Sequence, residues 1–377
     1  MSYKLFINES KMSKNIIYTV ITAILFLVIW IYRISNIETN NAINILKQNN
    51  IFIMKPIIEP ANTLCQSNPF IVIIVTSYVG HVELRSAHRR AMPQEYLKSF
   101  NTTRIFLLAR IPKTEKYITQ EAIDNESQIF GDILQGPFME NYRNLTYKHL
   151  MGLQWASSVC EKATFILKVD DDIVFDFNRT YKYLTSIPIS QREMFISGHI
   201  LNNTLPRRQK QNKWYVTWDE YPRSNYPPYF SGWYYIISPK IAKELCKEAI
   251  YHPYFWIDDI FITGVLTEAL GIQLKELPIN YMLEYYELLE CCLKDMITKS
   301  IKCDYVVGPN GGRNNLIVEF NQALTNCDMW KNCTVRTLDN SLKRTCVMYR
   351  ERSIFSDGQG EVRYIKLYNL RQTTSPL

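Results

Sequence analysis

The chain has 377 residues, 47% apolar content, only 13 glycines and a formal net charge of +7. That is enough apolar sequence for one large core or two smaller ones, and nothing in it reads as fibrous or low-complexity. The basic residues are scattered, and the densest group, Arg207, Arg208 and Lys210, sits in no nucleic-acid-binding motif, so a solvated loop and no nucleic-acid partner are expected.

The first element is an uncharged run from Ile16 to Tyr32, IIYTVITAILFLVIWIY. At ~1.5 Å per residue it covers roughly 26 Å, slightly short of the ~30 Å hydrocarbon core and suited to the thinner membranes of the early secretory pathway. It is apolar on every face, and it ends on bulky Trp30, Ile31 and Tyr32 instead of a small-x-small cleavage site. Lys4, Lys11 and Lys14 precede it and only Arg33 follows closely. The positive-inside rule then predicts a cytosolic tail over 1–15, a single transmembrane signal-anchor helix over 16–32 and a lumenal body, a type II membrane protein. Sequons at Asn101, Asn125, Asn144, Asn178, Asn202 and Asn332 agree as a group and predict N-glycosylation. Nine cysteines lie beyond the run, at 65, 160, 246, 291, 292, 303, 327, 333 and 346. In an oxidising compartment most should pair, none has zinc-ligand spacing, and the odd number leaves at least one over.

Residues 33–68 are polar and Asn-rich, with Pro56 and Pro60, and read as a lumenal stem. From 69 to 300 the pattern is that of a folded domain. FIVIIVTS from Phe70, RIFLLA from Arg104 and TFILKV from Thr164 are continuous apolar runs, the signature of strands buried on both faces. Helical spacing separates them, as in Tyr142 to Cys160, so an α/β fold with parallel strands is expected. GWYYIIS ends at Ser238, which can cap a helix that Pro239 starts. A further helix is expected from Asp258 to Leu270, stopped by Gly271, and then a strand over IQLKEL. Residues 301–377 hold four cysteines and little periodicity, and read as an extension of loops held by disulfides.

The chemistry centres on KVDDDIVF. Asp170, Asp171 and Asp172 follow an apolar strand, at the sheet edge where open α/β folds bind ligands. Adjacent carboxylates concentrate negative charge, and a divalent cation that completes its shell with phosphate oxygens is the natural partner. A metal on a diphosphate neutralises charge as it leaves. A calcium loop does not fit, because its sixth position is Phe175 where glycine is needed. VDDDIV also fits hhDxDxV, the nucleophile strand of haloacid-dehalogenase-type phosphatases, with Asp170 phosphorylated and Asp172 as acid/base. That motif belongs near the start of its domain, and here it lies after two strands.

Six blocks in order resemble the β-1,3-galactosyltransferase family, which includes β-1,3-N-acetylglucosaminyltransferases and, more distantly, fringe. RSAHRRAM resembles R-x-x-x-R-x-x-W, with Arg85 and Arg89 in place and Met92 where Trp is usual. FLLAR resembles its FLLG strand. ESQIFGDILQGPFMENYRNLTYKHLMGLQW resembles E-x-x-x-x-GDIL-x-x-x-F-x-D-x-Y-x-NLT-x-K, with Glu140 where Asp is favoured. FILKVDDDIVF, KWYVTWDEYPRSNYPPYFSGWYYIIS and WIDDIFITG resemble K-x-DDD-x-F, K-W-x-V…YP…YPPY-x-SG-x-x-Y and EDVFLTG, with Asp258 where Glu is usual.

The resemblance implies the nucleotide-diphospho-sugar transferase fold, Rossmann-like with an Asp-x-Asp turn, and an inverting transfer of a hexose from a UDP-sugar to a glycan hydroxyl on a glycoprotein or glycolipid in the Golgi. It implies Asp259 as catalytic base, Asp172 and Asp170 as ligands of manganese, and Asp170 and Asp171 beside the nucleotide. Arg85, Arg89 and Lys148 are expected near uridine or phosphate, and Ser231-Gly232 near the donor. Asp258 stands at the acid position before the base, and Trp214, Trp218, Tyr226 and Tyr229 are expected to form an acceptor wall. Relatives often supply a metal-ligating His after the base; here the histidines are at 81, 88, 149, 199 and 252, and none follows Asp259. That departure keeps a second reading open, a lumenal sugar-binding or chaperone-like relative that has lost transfer.

Overall fold

The runs expected to be doubly buried strands lie at the middle of a seven-stranded sheet. The computed structural model describes residues 18–33, 55–278, 281–282, 286–337, 341–342, 346, 349–356 and 359–366. β1 (Ile71–Thr76), β2 (Thr102–Arg110), β3 (Ile133–Met139) and β4 (Phe165–Asp170) are parallel, in the order β3-β2-β1-β4. Every residue from Ile71 to Val75 is fully buried, which is why the run shows no alternation. Beyond β4 the sense reverses. β7 (Tyr229–Ile237) is antiparallel to both β4 and β6 (Ile196–Leu201), and the two-residue β8 (Lys275–Glu276) closes that edge. The fold is α/β with a mixed, mainly parallel sheet. β3 and β6 stand where no strand was expected, and β8 is shorter than IQLKEL.

The chain divides into two units, residues 1–51 with 250–254, and the remainder. In the first, α1 (residues 18–33) is an exposed helix. Among the described residues no helix is long and apolar enough to cross a membrane, and Ile16 and Ile17 of the expected span lie outside them.

In the second unit α2 (Val82–Ala91), α3 (Gln94–Ser99), α4 (Gln120–Phe130), α5 (Leu145–Val159), α6 (Phe177–Thr185), α7 (Ile189–Arg192) and α8 (Pro239–Ala249) connect the strands. Thr119 caps α4 by accepting from the Ala122 amide, and Gly131 ends it at φ 64°. Ser238 accepts from the Ile241 amide and starts α8, as its sequence predicts. The helix expected from Asp258 is present and stops at Gly271 (φ 64°), but over Ile260–Val265 it is wound as a π-helical turn before α9 (Leu266–Ala269). Back-bonding hydroxyls widen it: Thr263 Oγ1 donates to the Asp259 carbonyl, and Thr267 Oγ1 to those of Thr263 and Gly264.

The expected stem ends earlier than residue 68. Ile57 donates to the Gln135 carbonyl at the open edge of β3, and Cys65 is bonded to Cys160, so this stretch covers an exposed strand edge. The C-terminal extension is also not simply loops. It contains α10 (Tyr286–Lys299), β9 (Val307–Pro309), α11 (Leu316–Asn326) and a hairpin of β10 (Tyr349–Ser356) and β11 (Gln359–Lys366). Leu316, Ile317, Phe320 and Ala323 turn one face of α11 inward, onto a core shared with α10. Cys291 pairs with Cys346, Cys292 with Cys303 and Cys327 with Cys333, and Cys246 is the buried cysteine left over.

Candidate active site

β1 has β2 on one side and β4 on the other, so the chain winds away in both directions from the β1–β4 seam. The crevice at the carboxyl ends of such a pair is where an open α/β sheet binds ligands. Asp170 ends β4 there, in register with Thr76 of β1. The chain then turns through Asp171 and Asp172 into β5 (Ile173–Phe175), which pairs antiparallel with β9. The Asn310 amide donates to the Asp172 carbonyl at 2.8 Å, so the C-terminal segment backs the turn.

The three carboxylates have separate fates. Asp171 is buried and braces the turn: Oδ2 accepts from Ser77 Oγ at 2.7 Å and from His81 Nδ1 at 2.9 Å. Its carbonyl accepts from His88 Nε2 at 2.8 Å, and burial among cations pushes His88 down to about 4, so that ring is neutral. Asp170 Oδ1 accepts from Lys168 Nζ at 2.5 Å. Asp172 opens to solvent and accepts no side-chain hydrogen bond among the described residues. Surrounding protein and the charges of Asp170 and Asp171 push its carboxyl up to about 6.

The second acidic pair precedes the π-helical turn. His149 Nδ1 donates to Asp258 Oδ2 at 2.9 Å, and Tyr235 donates to His149 Nε2 at 2.5 Å. Burial opposes ionisation of Asp258, but the His149 hydrogen bond and the Lys168 charge hold its carboxyl below the usual range. Asp259 behaves oppositely. Burial and the Asp258 charge push it up to about 7. Its Oδ1 accepts from the Ile260 amide at 2.8 Å, and its Cβ lies against Gly232, where an added Cβ would come within 2.6 Å. Lys168 links the two clusters, donating also to the Gly232 carbonyl at 2.5 Å. Burial opposes its charge, but Asp170 and Asp258 hold its pKa above the ordinary value.

This donor set suits a divalent cation only through Asp172, a solvent-facing carboxylate that makes no ion pair among the described residues. Among the described residues no group of three or more His, Cys, Asp and Glu is placed to hold a metal. Asp170, expected as a second ligand, is ion-paired to Lys168, and Asp171 is committed to Ser77 and His81. Any remaining coordination positions fall to phosphate and water.

Several expected site residues are held elsewhere. Arg85 is fully buried and forks onto Glu126, Arg89 pairs with Asp132 and Glu126, and Lys148 pairs with Glu140 and the Ser77 carbonyl. These cations are committed to buried acids, and Arg85 and Lys148 also hold Ser77 at the end of β1, beside Asp171. Tyr226 and Tyr229 are buried within the field of Asp259, and Ser231 is buried in β7. Trp218 is exposed beneath the Arg208 guanidinium at 3.9 Å. Trp214 is exposed and donates to Tyr142 Oη at 2.9 Å. Of the sequons, Asn101, Asn125, Asn202 and Asn332 are exposed, whereas Asn144 donates to the Met139 carbonyl and Asn178 accepts from Tyr96.

Three site residues were not foreseen. Lys168 was visible as a lysine inside an otherwise apolar buried strand, a position that demands a carboxylate partner. His149 and Tyr142 carry no such signal, because only the tertiary fold brings them to Asp258. The Tyr142 phenol is raised by burial and, against the Trp214 hydrogen bond, by the charges of Asp258, Asp259 and Asp170.

A family model described as galactosyltransferase matches residues 83–278. Beta-1,3-galactosyltransferase 1 of Homo sapiens is 32% identical over 209 residues, covering 55% of this chain and 63% of the relative. The chain thus spans less than two thirds of that relative's length. Beta-1,3-galactosyltransferase 5 of Pan paniscus is 33% identical over 214 residues, covering 56% and 69%. Among solved structures, a glycosyltransferase involved in the glycosylation of the major capsid of PBCV-1 is 12% identical, with a TM-score of 0.33 over 67% of this chain and 100% of that one.

Proposed function

The chain belongs to the galactosyltransferase family, and we propose that it transfers a hexose, galactose or an N-acetylhexosamine, from a UDP-sugar to a glycan hydroxyl with inversion, making a β-1,3 linkage. The observation that carries this reading is the presence of two acidic groups, one exposed and one half-buried, linked through Lys168 at one strand-end crevice. Asp172 is exposed, with its carboxyl pushed up to about 6, and Asp259 is half-buried, with its carboxyl pushed up to about 7. Inversion is a single displacement, so a base must take the acceptor's proton as its oxygen attacks. A carboxylate poised near neutrality meets that need. Asp258, kept ionised by His149, raises the proton affinity of Asp259, while Lys168 holds Gly232 and Asp170 in place. Asp172 is the residue that would hold a divalent ion, manganese in this reading, which when bound would neutralise charge on the departing diphosphate.

We place the protein in the Golgi membrane as a single-pass type II glycoprotein with its catalytic domain in the lumen. The uncharged 16–32 run, its flanking lysines and the sequons support that placement. The nucleotide-diphospho-sugar fold type belongs to the same proposal, supported by the acidic turn at the β1–β4 seam. Protection of the body from protease in sealed microsomes, with a mobility shift on glycan removal, checks the topology.

The reaction is tested by a donor screen with manganese that reads which nucleotide sugar is consumed. Two variants separate the acidic groups. Asp172→Ala should lose manganese-dependent UDP binding as well as transfer. Asp259→Asn should keep UDP binding while transfer falls about 10²- to 10⁴-fold, the usual cost of removing a general base. Near-normal transfer by Asp259→Asn would sink the assignment of the base.

A further inference from the structure

The basic group at residues 207–210 takes no part in the chemistry just described, yet the fold makes its loop a built surface. Arg208 fixes the segment between β6 and β7 by donating to the carbonyls of Val216, Thr217, Tyr221 and Arg223. The loop carries Lys213 to a ledge of aromatic rings. Its ammonium is 4.5 Å from the centre of the Tyr142 ring and 5.7 Å from that of Trp214. Trp214 and Tyr142 are joined by their hydrogen bond, and both are exposed. The ledge stands near the base: Tyr142 lies within the field of Asp258 and Asp259, and the buried Trp256 ring backs it at 5.9 Å. Among the described residues no carboxylate is within ion-pair reach of Lys213, Arg207 or Lys210, and Glu220 of the same loop is held by Arg143 at 2.6 Å.

We propose that this ledge selects an acceptor glycan bearing an anionic group, a carboxylate or a sulfate, on or next to the sugar that is extended. The inference rests on the transferase reading, since it assigns the ledge to the acceptor. Rings recognise the C–H face of a pyranose, and an ammonium seated on those rings supplies a fixed charge at the same place. A neutral sugar leaves that ammonium without a counter-charge. An anionic acceptor approaching Asp170, Asp172, Asp258 and Asp259 would be repelled, unless its charge were met on the Tyr142 side by Lys213. Arg207 and Lys210 extend the attraction outward from the same loop.

The test is binding of the full chain, with UDP and manganese, to matched glycans that differ only in charge: neutral, sulfated and uronate-bearing, with acidic peptides as a fourth arm. One of the charged glycan arms should bind about 5-fold tighter than its neutral partner at low salt, with the ratio shrinking as ionic strength rises. Which arm it is identifies sulfate or carboxylate. Lys213→Gln should bring the ratio near one, and Lys213→Arg should retain it, with melting curves confirming that both variants fold. Equal binding of neutral and charged partners overturns the proposal, as does a preference that survives Lys213→Gln, or capture of acidic peptides in place of glycans. UDP-sugar consumption, read separately with the neutral and charged acceptors present, distinguishes failure of the transferase reading. A chain that consumes no donor but keeps the charge preference loses that reading alone. A chain that transfers equally to neutral and anionic acceptors loses this inference alone.

Discussion

Gly232→Ala is the sharpest probe of how the base is positioned. A Cβ there would lie 2.6 Å from the Asp259 Cβ and 3.3 Å from its Oδ2, whereas ordinary contact begins at 3.4 Å. Gly232 lies in the irregular stretch of β7, outside the residues that pair with β4 and within the register shift against β6, and what restrains its backbone is the Lys168 Nζ bond to its carbonyl. Asp259 heads a π-helical turn and is the partner that must move, by roughly 1 Å, a displacement that costs about 100-fold in rate when it separates reacting groups. Overpacking of this kind also costs about 1–3 kcal/mol of stability, which leaves the domain folded. Transfer should therefore fall about 100-fold, while UDP binding in the presence of manganese, which relies on the other acidic group, changes by less than about 3-fold. Transfer assays and titration calorimetry on the same preparation measure the two quantities. Parent-like turnover, or a parallel loss of UDP binding, would refute the view that Gly232 exists to make room for the base.

The pH profile should follow the enclosed pair. Only unprotonated Asp259 accepts a proton, so kcat/KM for the acceptor should rise with pH and level off above about 7. Asp258→Asn removes the neighbouring negative charge that raises Asp259, and should move that limb to lower pH; an unmoved limb would assign it to another group. Lys168→Met leaves Asp170 without its buried cation; because the Asp170 side chain is 35% exposed, the cost should fall below the ~3–5 kcal/mol of a fully buried pair, and is read as a lower urea midpoint. Asp170→Asn in the Lys168→Met background should recover part of that loss, and strict additivity of the two changes would argue against their coupling.

The central strands were legible because a strand buried on both faces is written as an unbroken apolar run, as Ile71 to Val75 is. β3 was hidden inside a stretch matched as a motif, since its ILQGPFM carries a glycine and a proline that read as breakers. β6 and α11 are only partly apolar, and their inward faces are defined by neighbours far away in the chain. For the site, residue type marked the acids but not their partners. An arginine motif looks the same in sequence whether its guanidinium meets a phosphate or Glu126. Likewise, whether Asp170 faces a cation from solution or Lys168 two positions earlier depends on where β7 places the Gly232 carbonyl. Tyr142 is set by the turn that Asn141 closes with the Arg143 amide, a detail no periodicity reveals.

The pairing of β5 with β9 also dictates when the acidic turn is finished during synthesis. All seven strands of the main sheet have been made once Glu276 is in the chain, but the Asp172 carbonyl waits for the Asn310 amide. At ~5–20 residues per second the ribosome takes on the order of ten seconds to pass from Asp172 to Asn310. Only for the last part of that interval, after Glu276, does the nascent domain carry every strand of its main sheet with the acidic turn still unsupported. A message cut short between Glu276 and Val307 would yield a chain that has every strand of its main sheet and still lacks the strand that backs Asp172, a product able to occupy the folding machinery with its acidic turn unfinished.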